Sequence, residues 1–352
     1  MISADDLRAA VGSGLLSEAQ AASLKALSDS RRGAREDLAP GDEPFELFKG
    51  FNEIFIVIGL IILCSGWITM NSVALAADFG NYKTHLMGAA GIGAVFLWGV
   101  SEYFIRHRRM VGPAIALSIM FAGNALAGFA AWRAQPFMIA QNDYSSLPIA
   151  LGLSIVALAI YWIRFRVPFT MALMALGLFA VALIIGADRA GVPSGFADLF
   201  RLSAQGPFAW ITLAVGLAVF AMAMAFDLSD PHRVTRRSAQ GFWLHVVAAP
   251  ALVNTIALSL MERSQDTLLV VVLLFFALVA IVIDRRSFLI TAIGYIVALA
   301  STVFDGESAG LFVLGLGLFL VALGAFWARI RAALLSLLSG VLPLHRLPPS
   351  HQ

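Results

Sequence analysis

The sequence predicts an all-α protein, a polytopic bundle of about ten transmembrane helices whose N- and C-termini lie in the cytosol. The first observation is composition: 60% of the 352 residues are hydrophobic and 13% are charged, against roughly 45–50% and 25% in soluble domains. The second is a series of long apolar segments. The third is an alternation of arginine-rich and arginine-poor connections between these segments.

Ten segments are long and apolar enough to cross a bilayer, which requires about 20 predominantly apolar residues. They are approximately 54–76, 86–105, 110–132, 147–164, 167–187, 207–227, 241–261, 267–284, 288–304 and 308–328. The fourth and fifth are joined by a short turn around Arg166, and the eighth and ninth by one around Arg285. Both pairs are therefore predicted to be tight helical hairpins.

The charges in the connections determine the predicted orientation. With the N-terminus inside, most of the 24 Lys and Arg residues fall in cytosolic segments. The outer connections hold only Lys83, Arg133, Arg189, Arg201 and Arg263. This distribution satisfies the positive-inside rule at every loop pair. Aromatic residues near the span ends, such as Tyr161 and Trp327, are typical of interfacial anchors and agree with the orientation.

The polar N-terminal part is predicted to lie in the cytosol. Residues 1–29 are predicted to form a helical hairpin, because Ser3 with Asp6, and Ser17 with Gln20, have the spacing of capping boxes. Residues 30–44 mix charge with Gly and Pro and are typical of a flexible linker. The membrane domain is predicted to cover 45–330, and 331–352 to form a cytosolic tail. Nothing near the start has the pattern of a cleaved signal peptide.

Three stretches of the chain are distinctive. They read LRAAVGSGLLSEAQAASLKAL, GFNEIFIVIGLIIL and RRSAQGFWLHVVAAPALVN. With them the chain resembles a group of uncharacterised bacterial polytopic membrane proteins, in which a short N-terminal helical region precedes a multi-span membrane domain. The resemblance implies a location in the bacterial inner (cytoplasmic) membrane. It implies no catalytic residues, because the group has no assigned chemistry.

His245 is the ionisable residue that lies most clearly inside a predicted span, about one turn past Gly241. An imidazole there suits a proton relay, a substrate hydrogen bond, a lipid-headgroup contact or a structural hydrogen bond to a neighbouring helix. Its shallow predicted depth favours the last two roles. The acids, including Asp227 and Asp284, are predicted to lie near span boundaries, so no buried carboxylate is expected.

Three further residues are candidates for ligand binding. Pro250 removes one helical hydrogen bond and predicts a kink, which is either a hinge or a fixed bend. Asn254 lies nine residues after His245, so the two are predicted on opposite sides of their helix. Asn124, near the middle of the third span, suits either a ligand contact or a hydrogen bond between helices.

The longest cytosolic connection after the linker carries a cluster of basic residues. Arg233, Arg236 and Arg237 lie in it and are candidates for binding anionic lipid headgroups or a phosphorylated ligand. The positive-inside rule also explains these arginines without any ligand.

Several functional classes lack sequence support. No GxxxxGK[ST], HExxH or CxxC string occurs, so no motif indicates nucleotide hydrolysis or zinc proteolysis. Cys64 is the single cysteine, which excludes an intrachain disulfide and a cysteine-based metal site. The basic residues are spread along the chain, which argues against nucleic-acid binding. We therefore expect no metal, no cofactor and no nucleic-acid partner.

These features favour an integral inner-membrane protein that binds or transports a small neutral or lipid-like molecule, with membrane lipids as its partners. Ten spans with both termini inside are compatible with two inverted five-span halves, a frequent transporter plan. The alternative is a non-transporting scaffold or sensor that recruits a protein partner through residues 1–29. An intramembrane enzyme that uses His245 is a third, less favoured hypothesis.

Overall fold

A computed structural model describes most of the chain. The described residues are 9–17, 20, 50–135, 138–141, 143–191, 196–202, 206–229, 236–263, 265–286, 307–338, 340 and 347. All regular secondary structure within these ranges is helical. The chain divides into two compact units, residues 1–47 and residues 48–352.

In the first unit, a capping box is formed where the sequence predicts one. The Ser17 amide donates to Gln20 Oε1 at 2.9 Å, and the Gln20 amide donates to Ser17 Oγ at 3.2 Å. Gly14, with φ of 76°, adopts the left-handed conformation that favours glycine and ends the preceding helical turn. The capping box at Ser17 and Gln20 is thus confirmed. The predicted pair Ser3 and Asp6 and the linker 30–44 lie outside the described residues.

The second unit is built from helices that we number α1 to α10. They are α1 (Phe51–Ala77), α2 (Tyr82–Ser101), α3 (Gly112–Arg133), α4 (Leu147–Phe165), α5 (Phe169–Ala190), α6 (Phe208–Ser229), α7 (Arg236–Glu262), α8 (Asp266–Ile283), α9 (Glu307–Ala325) and α10 (Trp327–Leu337). A π-helical turn, Glu102–His107, extends α2, and short helical turns occur at Phe79–Asn81, Met138–Gln141 and Phe196–Leu199.

Seven of these helices, α1 to α7, are long and apolar enough to cross a membrane within the described ranges. They coincide with the first seven predicted spans, as expected of a multi-pass membrane protein. Helix α8 is a shorter apolar helix, and the predicted span 288–304 lies outside the described residues. The end of α9 and α10 are bent by 77°, so the predicted span 308–328 is broken near Phe326. The total of ten spans stays a prediction.

Polar contacts show that consecutive helices run in alternating directions. Ser101, at the end of α2, lies 2.8 Å from the hydroxyl of Tyr161, near the end of α4. Thr170, at the start of α5, donates to Ser118, near the start of α3, at 3.5 Å. The ends of α2 and α4 and the starts of α3 and α5 therefore meet at one end of the bundle. We call it the arginine-rich end, because Arg106, Arg164 and Arg166 lie there.

The apolar core lies between the helices. One cluster joins α1 to α5 and includes Leu117, Phe121 and Phe165; two others join α5 to α8. Tyr161 and Trp327 are buried in the protein, so their prediction as interfacial anchors is wrong. Their hydroxyl and indole N–H groups have hydrogen-bond partners inside the bundle, which makes burial possible.

Glu53 shows how a polar residue at a helix start becomes part of the interior. It lies in the first turn of α1 and is buried. Its carboxylate accepts hydrogen bonds from the amides of Gly112 at 2.9 Å and Val111 at 3.2 Å. A carboxylate is favourable there because the N-terminus of a helix carries unsatisfied N–H groups and positive dipole charge. Glu53 thus joins α1 to α3.

Replacing Glu53 tests this link. We expect Glu53→Ala to lower the free energy of unfolding by about 1–3 kcal/mol, because one buried and one partly buried amide lose their acceptor. The measurement is reversible unfolding in mixed micelles. Asp188→Ala is the matched control, since Asp188 is exposed and its loss should change stability little. Equal stability of the two variants would show that the Glu53 link contributes nothing.

Candidate functional site

A buried polar cluster joins three segments at the arginine-rich end. Asp227, near the end of α6, accepts hydrogen bonds from Nε of Arg285 at 2.9 Å and from Nη2 of the same side chain. The Nε2 atom of His245, on α7, lies 2.9 Å from Asp227 Oδ2. Arg285 also donates to the carbonyl oxygen of Ser238 at 3.0 Å. We call these four residues the Asp227 cluster.

The cluster is almost completely removed from solvent. The exposed fractions are 0% for His245, 1% for Arg285 and 8% for Asp227. An unpaired charge is very unfavourable in such a place, whereas a bidentate arginine–carboxylate pair satisfies both charges and most of their hydrogen bonds. The ionic partners therefore require one another, and they hold the end of α6 against the turn that follows α8.

Two backbone features make this close packing possible. At Gly241, on α7, an added Cβ atom would collide with Asp227 Oδ1 and would lie 3.3 Å from the carbonyl oxygen of Ala223. At the end of α8, Asp284 adopts a left-handed conformation with φ of 55°, and the Arg285 amide bonds the carbonyl of Ala280 at 2.9 Å. This turn ends the helix and brings Arg285 back towards α6.

The same turn anchors the C-terminal helix. Trp327 Nε1 donates to Asp284 Oδ1 at 2.7 Å, and Arg331 Nε donates to the carbonyl of Ile281 at 3.2 Å. The guanidinium of Arg286 lies over the Trp327 ring at 5.2 Å. Helix α10 is therefore packed against the end of α8, and Arg331, predicted to begin a cytosolic tail, is buried within it.

A groove opens beside the cluster, between α4, α6 and α7. It has a volume of about 610 Å³ and is lined by Trp162, Arg166, Met222, Ala225, Phe226, Ser229, Arg237 and Gln240. We call it the Arg166–Arg237 groove. The guanidinium of Arg166 lies 4.9 Å from the centre of the Trp162 ring, a cation–π contact. The lining combines two cations, two neutral polar side chains and an apolar wall.

The groove and the Asp227 cluster occupy opposite faces of the same helix ends. Ser229 follows Asp227 by two residues on α6, and Gln240 follows Ser238 by two residues on α7. Two residues correspond to about 200° around a helix, so one member of each pair faces the cluster and the other faces the groove. The bonds within the cluster thus position the groove wall.

A second, smaller groove of about 300 Å³ lies between α2, α3 and α4. Asn124 is part of its lining, and its amide donates to the carbonyl of Ala90 at 2.8 Å. Gly93 leaves the room for this contact, since an added Cβ would lie 2.5 Å from Asn124 Oδ1. Asn124 therefore makes the hydrogen bond between helices that was one of its two predicted roles.

The structure separates the candidate binding residues from one another. His245 is buried in the Asp227 cluster, which agrees with a structural hydrogen bond and leaves no contact with a lipid headgroup. Helix α7 continues through Pro250 without a break, and Asn254 is half-buried. Neither residue lines either groove. Arg237 lines the larger groove, whereas Arg233 and the Arg236 side chain lie outside what the structure describes.

The expectation that no carboxylate is buried is wrong. Glu53, Asp227 and Asp284 are all buried, although each lies close to a helix end, as predicted. Position along a helix gives the depth of a residue, but neighbouring helices decide whether that position is covered. A usable signal was present: Arg285 follows an apolar segment at the same predicted depth as Asp227, and opposite charges at equal depth can pair.

No protein family, curated protein or solved structure matches the chain. Membership of the uncharacterised bacterial group therefore stays a prediction, and a functional argument depends on this chain's own geometry. Among the described residues, no three His, Cys, Asp or Glu side chains are close enough to hold a metal ion.

A double replacement tests the Asp227–Arg285 pair. We expect Asp227→Leu to lower the free energy of unfolding by about 3–5 kcal/mol, because it leaves a buried guanidinium without its carboxylate. Adding Arg285→Met should recover part of that loss, since both charges are then absent. Reversible unfolding in micelles measures both variants. A double variant that is less stable than Asp227→Leu would contradict the pairing.

A single methyl group tests the close approach at Gly241. Gly241→Ala should lower the free energy of unfolding by about 1–3 kcal/mol, because the added carbon overlaps the Asp227 carboxylate. Gly123→Ala is the control: Gly123 is also helical but has open space around it, so the change should be neutral or stabilising by about 0.5–1 kcal/mol. Similar behaviour of the two variants would exclude a steric role for Gly241.

Proposed function

We propose that this membrane protein binds a small lipid-like molecule in the Arg166–Arg237 groove. The observation that carries the proposal is the mixed lining of the groove. Met222, Ala225 and Phe226 present apolar surface, while Ser229 and Gln240 present neutral polar groups beside the two arginines. A molecule with an acyl or isoprenoid chain and a polar head likewise has an apolar part and a polar part. The volume of the groove is within the usual range of ligand sites.

The proposal includes a location in the bacterial inner membrane, with both termini in the cytosol. The positive-inside distribution and the resemblance noted above support this orientation. It places the groove at the cytosolic leaflet, where a lipid can enter sideways from the bilayer. The helices that form the groove, α4, α6 and α7, are among those long enough to span.

Binding is supported more directly than transport. The two grooves have no lining residue in common, so they do not form one continuous cavity, whereas each by itself has the shape of a binding site. Two arginines in the larger groove also favour a ligand with a polar head over a wholly neutral molecule.

A scaffold or sensor is the second candidate function. The observation that favours it is the division of the chain, since residues 1–47 form a compact unit separate from residues 48–352. On this hypothesis the first unit recruits a protein partner, and the groove contributes only to packing against bulk lipid.

Filling the groove distinguishes the two functions. Ala225 is exposed and lines the groove, so Ala225→Trp should occupy it and reduce lipid binding at least tenfold. Native mass spectrometry of the full-length protein, with an extracted lipid mixture added back, measures the bound lipid. Ala218→Trp is the control, because Ala218 is exposed on α6 two turns away and does not line the groove. Equal lipid binding by both variants would favour the scaffold.

A further inference from the structure

We infer that the Arg166–Arg237 groove selects lipids whose headgroup is a phosphate with net negative charge. This inference rests on the proposed function and names the ligand class of the same site. Four features of the groove support it: the sign of its charge, the arrangement of one guanidinium, the backbone that carries that guanidinium, and the neutral polar groups beside it.

The lining is positively charged. It contains the guanidinium groups of Arg166 and Arg237, and none of the described lining residues is acidic. Two of the described carboxylates at this end of the bundle have other partners. Glu102 lies 2.6 Å from Arg164 Nε and 3.4 Å from Arg106 Nη1, while Asp227 binds Arg285 and His245 on the opposite face of α6. An anion entering the groove therefore meets the guanidinium of Arg166, which makes no ion pair with an acidic residue in the described part of the chain.

The guanidinium of Arg166 is arranged to bind a phosphate. Its contact with the face of the Trp162 ring restricts the side chain, and a guanidinium on an aromatic face can keep N–H groups available for a bidentate contact. Bidentate hydrogen bonding to phosphate oxygens is stronger and more directional than the contact of a flexible ammonium group. Trp162 thus acts as a positioning residue for Arg166.

The backbone at Arg166 is one that a glycine would adopt more easily. Its φ and ψ are 55° and 34°, in the left-handed region, and its amide closes the end of α4 on the carbonyl of Trp162 at 2.8 Å. Glycine is the usual residue at such a helix end. The backbone of the turn therefore does not require an arginine at this position. The Arg166 side chain instead lines the groove.

Ser229 and Gln240 complete the polar part of the groove. Gln240 is 5% exposed, and its amide N–H groups can donate to phosphate or glycerol oxygens. The Ser229 hydroxyl donates to the carbonyl of Phe226 at 2.7 Å, so its oxygen can accept a hydrogen bond from a headgroup hydroxyl. The apolar surface of Met222 and Phe226 continues from these groups. A phospholipid would contact both the polar and the apolar parts of the groove, whereas a free phosphate ion would leave the apolar part uncovered.

The experiment compares headgroups on the full-length protein. Native mass spectrometry in micelles, with phosphatidylglycerol, phosphatidylcholine or diacylglycerol added, measures the apparent Kd of each lipid. We expect phosphatidylglycerol to bind about tenfold more tightly than the other two lipids. Arg166→Gly and Arg237→Gln should each weaken its binding by about fivefold, the factor for one basic contact near an anionic headgroup.

Three variants serve as controls. Arg166→Gly preserves the left-handed turn, so an unchanged unfolding transition is expected alongside the weaker binding. Arg166→Lys should lose part of the preference, because it keeps the charge without the stacked, bidentate group. Arg108→Gln removes an exposed charge that does not line the groove and should leave phosphatidylglycerol binding unchanged.

The contrary outcomes separate the two proposals. If Ala225→Trp blocks all three lipids but the protein binds them equally, the groove binds lipids without selecting phosphate, and only the present inference is wrong. If Ala225→Trp blocks none of them, the lipid-binding function is wrong as well. An equal loss of binding with Arg108→Gln would show a general charge effect. Competition by inorganic phosphate at the concentration of the lipid would make a free phosphate the ligand; each of these results overturns the inference.

Discussion

The carboxylate of Asp227 is the group on which the arrangement of the second half of the membrane domain depends. It is buried between a guanidinium from the turn after α8 and an imidazole from α7. Water is excluded there, so separating either partner would leave a charge in an apolar environment. The pairing specifies one relative placement of α6, α7 and the end of α8, which apolar contacts alone would leave free to slide.

The Arg166–Arg237 groove depends on this placement. Its far wall includes Ser229 and Gln240, which lie two residues after Asp227 and Ser238 on α6 and α7, so the bonds inside the bundle position this wall of the groove. Its near wall comes from the end of α4, which Tyr161 holds against α2 through Ser101. Buried polar contacts on both sides thus give a rigid site at the end of otherwise apolar helices, and a preformed site loses less entropy on binding.

Parts of both the fold and the site were predictable from the sequence. The first seven helices occur where apolar segments were found, and Ser17 and Gln20 form the predicted capping box. Arg237 was a headgroup candidate before its groove was known. Arg166 was treated only as part of a turn, because nothing local shows that a residue at the end of α4 faces α6 and α7. Tyr161 is predicted at the interface for the same reason: its place near the end of α4 follows from the sequence, but the helices that cover it do not.

The sequence by itself determined which segments form the seven long apolar helices and that Asp227 lies near a helix end, because hydrophobicity and helical rise act along the chain. Only the tertiary structure decided which side of each helix is covered. Asp227 therefore changed from a boundary acid to the centre of a buried cluster, and His245 from a candidate ligand contact to its partner. Whether a charge is buried depends on residues from other helices, and the packing of the helices determines which residues those are.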